Sequence, residues 1–131
     1  MKKELVAALI IKDKRLLLVH NKKHDSIRVE PPGGKKNSDE TWTEAVRREV
    51  EEELGVKVRP GKLVGVYDTA TPEGDFSVRM YFCDIISGEP RVVEPDKIPQ
   101  FGWYSLDEIR KLEGLVPNMV KALRELEKYL R

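Results

Sequence analysis

The sequence predicts an α/β fold in which helices cover both faces of one mixed β-sheet. Three observations carry this expectation. Segments rich in β-formers lie before, between and after the helical segments, so strands and helices interleave along the chain. Trp42, Val46, Val50 and Leu54 recur every four residues and form one apolar stripe. Met119, Val120, Leu123, Leu126, Tyr129 and Leu130 form a second stripe near the C-terminus. Each stripe needs an apolar surface to cover, and a sheet between the two helices offers one face to each.

Taken in order, Leu5–Ile11 is an apolar run that reads as a strand. Asp13-Lys14 reads as a hairpin turn, and Arg15–His20 resumes as the second strand. Asn21–Arg28 is polar and reads as a loop. Pro31-Pro32-Gly33-Gly34 breaks regular structure, and Lys35–Glu40 continues that loop. Thr41 to Leu54 is a helix: Thr41 is the N-cap, Glu44 its capping-box partner three residues on, and Gly55 the C-terminal cap. Val56–Arg59 and Lys62–Thr69 read as β segments parted by Pro60-Gly61, Thr71–Asp75 as a turn, and Phe76–Ile86 as a further strand. Ser87–Pro90 is a turn and Phe101–Tyr104 a short aromatic segment. Ser105 caps a short helix through Leu112 with Glu108 in the capping-box position, and Pro117 opens the last helix at its first position.

The chain's 131 residues suit a single domain, residues 1–131, able to bury a core without staples. A formal net charge of +1, with lysine and arginine scattered along the chain, points away from a nucleic-acid polymer or a membrane as partner. Cys83 is the only cysteine, which excludes an internal disulfide and a cysteine-rich zinc site. His20 and His24 are too few and too far from other ligands for a histidine-based site. The apolar run near the N-terminus is too short to span a bilayer, so a cytoplasmic protein is expected, either a monomer or a homodimer.

The informative stretch runs from Gly34 to Val56. Gly34 is followed after five residues by Glu40, and after seven more by Arg48-Glu49-Val50-Glu51-Glu52-Glu53-Leu54-Gly55-Val56. On a helix, Glu49, Glu52 and Glu53 fall within an arc of about 100°, whereas Glu51 points away. Three carboxylates so placed repel one another, and a hard cation with a preference for oxygen ligands would relieve that repulsion. Arg48 can offset part of the charge. The adjoining Pro-Pro-Gly-Gly segment, Gly33 and Gly34 included, lets backbone amides and carbonyls approach a metal–phosphate group closely.

The same residues match the pattern G-x5-E-x7-R-E-U-x-E-E-x-G-U, with U aliphatic, at every specified position. Chance would produce all nine matches in about one chain per million of this composition. The chain therefore resembles the Nudix (MutT-like) hydrolases, over 23 residues in the box and loosely over almost the whole chain. The resemblance implies an α/β/α sandwich with the box as loop–helix–loop, and hydrolysis of a nucleoside diphosphate linked to another moiety. It implies Mg²⁺ as cofactor, with Mn²⁺ as a possible substitute. It further implies Glu49, Glu52, Glu53 and the Gly34 carbonyl as metal ligands, Arg48 as the residue that orients a box carboxylate, and Glu40 as an acid behind the ligands. Glu52 is the first choice as general base. Departures are Val29 and Pro31, where many members have an aromatic residue and a leucine, and Asp39, where many have glycine.

Outside the box the substrate cues diverge. Glu94-Pro95-Asp96-Lys97 followed by Phe101-Gly102-Trp103-Tyr104 resembles a segment of Nudix enzymes that hydrolyse nucleoside triphosphates to the monophosphate and pyrophosphate. Pro72, sixteen residues after Val56, has the spacing associated with ADP-ribose pyrophosphatases. The longer segment weighs more. Glu94 and Asp96 read equally as an extra metal or base site or as a solvated turn. Phe82 and Trp103 read as pocket walls or as core. A sensor that binds a nucleotide without cutting it is the alternative from another class. Such domains typically lose box carboxylates, and all three are present here.

Overall fold

The computed structural model describes residues 2–23, 25–71 and 74–131. Its elements are β1 (Lys3–Leu9), β2 (Ile11–Lys12), β3 (Arg15–Lys23), β4 (Ser26–Glu30), β5 (Gly33–Lys35), α1 (Trp42–Leu54), β6 (Lys57–Thr71), β7 (Gly74–Ser87), β8 (Gln100–Tyr104), α2 (Leu106–Lys111) and α3 (Pro117–Leu130). His24 and Pro72 lie outside the described residues, as does part of the turn expected over Thr71–Asp75.

Among the described residues the strands form two four-stranded sheets where one was expected. The first is mixed, in the order β5-β1-β7-β6, with β1 parallel to β7 and its other pairings antiparallel. In the second, β3 pairs antiparallel with β2, β4 and β8. Of the polar stretch expected as a loop over Asn21–Arg28, residues 21–23 and 26–28 instead pair as strands, with Asn21 opposite Arg28 and Lys22 opposite Ile27. Gly33–Lys35, also expected as loop, pairs with β1. Backbone pairing across a sheet edge satisfies peptide groups whatever the side chains are, so neither segment carries an apolar alternation. Pro60-Gly61 does not divide β6, because register shifts on either side of Leu63 absorb the irregularity.

Alternation along each strand sends side chains to two separate cores. Val6, Ala8, Leu17, Val19, Tyr81 and Cys83 pack with Ala45, Val46, Val50 and Leu54 of α1. Ala7, Leu9, Leu16, Leu18, Val78 and Met80 pack with Leu106 and Ile109 of α2 and Met119, Ala122, Leu126 and Leu130 of α3. Helices thus cover both faces, as expected. Both capping boxes are present, at Thr41/Glu44 and Ser105/Glu108. The α3 stripe is narrower than its periodicity suggested: Val120 is 56% exposed and Tyr129 41%. Tyr129 meets Phe82 edge to face, with ring centroids 4.9 Å apart. Among the described residues no helix is long and apolar enough to cross a membrane.

Candidate active site

The α1 stripe that packs on the sheet determines where its glutamates go. Because Val46, Val50 and Leu54 are fully buried, the residues flanking them along the stripe are drawn in as well. Glu49 is 8% exposed and Glu53 only 2%, while the side chain of Glu52 is 54% exposed. The acidic arc is therefore divided between two buried carboxylates and one facing solvent.

β5 brings backbone against the buried pair. The Gly33 N–H donates to Glu53 Oε1 at 2.8 Å. A Cβ on Gly34 would lie 2.5–2.8 Å from the atoms of the Glu49 carboxylate, and one on Gly33 would collide with the Val6 carbonyl oxygen. At Gly33 only glycine fits, because the Val6 backbone leaves no space for a Cβ, whereas at Gly34 a Cβ would push the Glu49 carboxylate aside. Lys35, next in β5, uses its carbonyl to accept from Arg48 Nη2 at 2.9 Å.

Arg48 ties the rest together. It grips Glu40 in bidentate fashion, Nε to Oε2 at 2.6 Å and Nη2 to Oε1 at 2.9 Å. Its Nη1 donates to Glu49 Oε1 at 2.9 Å and reaches both oxygens of Glu52 at 3.3 Å. The hydrogen bonds from Arg48 and from the Asn37 N–H hold Glu40 down to about 2. Burial pushes Glu49 upward against the opposing pull of Arg48. Burial pushes Glu53 up to about 8, although the Gly33 N–H favours its charged form.

The C-terminal end of α1 has no basic residue in its last turn. Arg91, from the segment after β7, supplies one. Its backbone N–H donates to the Leu54 carbonyl at 3.0 Å and its Nη1 to the Gly55 carbonyl at 3.2 Å. Gly55 itself is left-handed, with φ 69°. Arg91 thereby holds the turn carrying Glu52 and Glu53, complementing the helix dipole at its negative end.

Between the two sheets lies a cleft of about 320 Å³. Glu53, Gly33 and Gly34 line it on the α1 side, Phe76, Val78 and Met80 from β7 form an apolar wall, and Val116 and Asn118 close it from the start of α3. Lys22, Lys23, Arg28 and Lys97 give it a basic rim, with Glu30 among them. Glu30 accepts from Asn21 Nδ2 at 3.5 Å and pairs with Arg28 at 3.4 Å. Asn118 Oδ1 accepts from the Thr69 hydroxyl.

In donor type the residues fit a divalent cation: two desolvated carboxylates and a third at the surface offer only oxygen, and burial of Glu53 disfavours its charge unless a cation balances it. Among the described residues, however, no three acidic, histidine or cysteine side chains are gathered tightly enough to hold an ion. Arg48 spans Glu49 and Glu52 instead, as a competing counter-charge.

The other residues singled out by sequence fall elsewhere. Glu94 and Asp96 are exposed in a turn and do not line the cleft. Phe82 packs toward Tyr129 on the α3 side. Trp103 packs on the α1-side core and borders a separate surface hollow with Cys83. Burial pushes the Cys83 thiol up to about 12, the state of a core residue and not of a nucleophile. His20 shares a 2.6 Å hydrogen bond with the Tyr104 hydroxyl. Sequence reasoning missed Glu30, Lys97, Arg91 and Asn118. Only Asn118 left a trace, as a polar residue inside an otherwise apolar first turn.

Comparison with known proteins bears on the family and the fold. A family model described as NUDIX domain matches residues 1–126. Over 110 residues the chain is 32% identical to a protein of Methanocaldococcus jannaschii named ADP-ribose pyrophosphatase, covering 82% of this chain and 64% of that one. The chain therefore spans a little under two thirds of that relative's length. The crystal structure of a MutT NUDIX hydrolase from Burkholderia pseudomallei superposes with a TM-score of 0.87 at 32% identity, covering 96% of this chain and 98% of that one. A NUDIX hydrolase from Nitrosomonas europaea superposes with the same TM-score at 25% identity, over 100% of this chain and 92% of that one. With the box on α1, the glycine backbone at its carboxylates and a family match over nearly its whole length, this chain belongs to the Nudix hydrolase family.

Proposed function

We propose that this chain hydrolyses a phosphoanhydride bond of a nucleoside triphosphate, releasing the monophosphate and pyrophosphate. The observation that carries the reading is the cleft between the sheets. It joins a buried carboxylate and two glycines on one side to an apolar wall and a basic rim on the other. A polyphosphate with an attached base matches that division: charge toward α1 and the rim, ring and sugar toward Phe76, Val78 and Met80.

Hydrolases of this family generally use divalent metal cations. Here Glu49, Glu52, Glu53 and the Gly34 carbonyl would hold Mg²⁺, with Mn²⁺ as a substitute. Once bound, such an ion neutralises phosphate oxygens and makes water easier to deprotonate. The chain's own residues do the rest. Glu52, the solvent-facing member of the triad, takes a proton from the attacking water. Arg48 restrains Glu49 and Glu40 through its fixed guanidinium fork, and the Gly33 N–H restrains Glu53. Phe82 and Trp103 influence substrate choice only through packing, since neither lines the cleft.

A second reading, ADP-ribose hydrolysis to AMP and ribose phosphate, is favoured by the name of the Methanocaldococcus jannaschii relative. One assay separates the two. dGTP, dCTP and ADP-ribose are incubated with Mg²⁺ in ¹⁸O-labelled water, and the products are read by mass. Pyrophosphate release from a triphosphate at a higher kcat/KM than ADP-ribose cleavage is expected. Faster cleavage of ADP-ribose replaces the first reading with the second, and cleavage of none of them removes both.

A further inference from the structure

Lys97 lies between β7 and β8, in a segment that sequence reasoning valued for its acids. The structure reverses the emphasis: Glu94 and Asp96 stay outside the cleft, and Lys97 lines it. Its backbone is pinned on both sides. Its N–H donates to the Glu94 carbonyl at 3.0 Å, its carbonyl accepts from the Lys22 N–H at 2.8 Å, and the adjoining Ile98 is fully buried. The attachment point is thus held while the four-carbon stem and its ammonium reach into solvent within the cleft.

The surroundings of that ammonium single it out from the other cations of the rim. Arg28 is paired with Glu30. The charge of Lys23 acts on Glu30, whereas that of Lys97 acts on Glu30, Glu49 and Glu53 together. Among the described residues, no ion pair or hydrogen bond engages the Lys97 ammonium. A cation placed near the box carboxylates opposes the binding of a second cation there. The arrangement becomes favourable when an anion lies between the two.

We propose that Lys97 is a substrate-binding residue that grips the diphosphate of the substrate from the wall facing the box helix. This rests on the phosphohydrolase reading of the same cleft. It makes affinity depend on the presence of the second phosphate, and it gives Lys97 opposite effects on metal and on nucleotide.

The test compares wild type, Lys97→Gln and Lys97→Arg. Mn²⁺ binding alone is measured first. At saturating Mn²⁺, binding of a nucleoside monophosphate and of its α,β-methylene diphosphate is then measured by calorimetry, with wild-type dGTP hydrolysis as a control. Lys97→Gln is expected to weaken the diphosphate analogue about tenfold or more, the scale of one charge-assisted contact. It should leave the monophosphate nearly unchanged and bind Mn²⁺ at least as tightly as wild type. Lys97→Arg should stay within about threefold of wild type, since it keeps the charge. Wild-type affinity of Lys97→Gln for the analogue, equal weakening of monophosphate and diphosphate, or weakened Mn²⁺ binding overturns the proposal while wild-type hydrolysis leaves the enzymatic reading standing. A wild type that neither cleaves dGTP nor binds the analogue removes both.

Discussion

Replacing Glu53 by glutamine should make the metal-free protein more stable. Glu53 is 2% exposed, and burial pushes its carboxyl from an ordinary 4.5 up to about 8. A folded-state value above the unfolded one means a contribution that is fully present below pH 4.5 and lost as the pH rises through about 8. At 1.36 kcal/mol per pH unit, the penalty relative to a permanently neutral side chain is about 1 kcal/mol at pH 5 and about 3 kcal/mol at pH 7. Glutamine keeps the shape and an oxygen that accepts the Gly33 N–H, so it removes the charge and little else. Urea denaturation in EDTA at pH 5, 6, 7 and 8 measures the difference. The variant should be the more stable throughout, by a margin that widens with pH. A divalent cation should shrink or reverse that margin, because a ligand bound only by the folded wild type stabilises it by about 2.7 kcal/mol at a hundred times its Kd. Equal stability at pH 7 in EDTA, or a margin that does not change between pH 5 and 8, refutes the reasoning.

Glu52→Gln should lower kcat by a factor of about 10² to 10⁴ with little change in KM, as steady-state kinetics would show, because a base acts mainly in the transition state. Full kcat on every accepted substrate would show that Glu52 is not the base. Gly34→Ala should retain the far-UV circular dichroism of the wild type but lose about 100-fold in kcat, since the new Cβ displaces the Glu49 carboxylate and small misplacements are costly. Cys83, 5% exposed and pushed up to about 12, should react slowly with a thiol reagent at pH 8 and rapidly once urea unfolds the chain; fast reaction in the native state would contradict its burial.

Burial of two carboxylates on a helix otherwise stabilised by its caps and apolar stripe is a local conflict of the kind that marks functional sites. The capping box at Thr41 and Glu44, the left-handed Gly55 and the Arg91 clamp each secure an end of α1. A helix held at both ends can keep Glu53 desolvated without fraying. The same rigidity holds Glu49 against Gly34, where a methyl group would have to displace the carboxylate.

The sequence by itself determined whatever depends on neighbours within one or two helical turns. Spacing alone placed α1 within one residue, both capping boxes, Gly55 and the box that identifies the family. These features are local, so the pattern and the physics coincide. Tertiary structure decided the rest. It split the sheet in two, because β3–β8 and β1–β7 join segments dozens of residues apart through backbone groups that leave little side-chain signature. It separated buried Glu53 from exposed Glu52, since which edge of an acidic arc is desolvated depends on where the sheet lies. It moved Phe82 and Trp103 into packing roles and brought Lys97, Glu30 and Asn118 to one cleft from three distant stretches of chain. A lone lysine beside two acids in a turn looks like solvated surface until the fold shows what faces it.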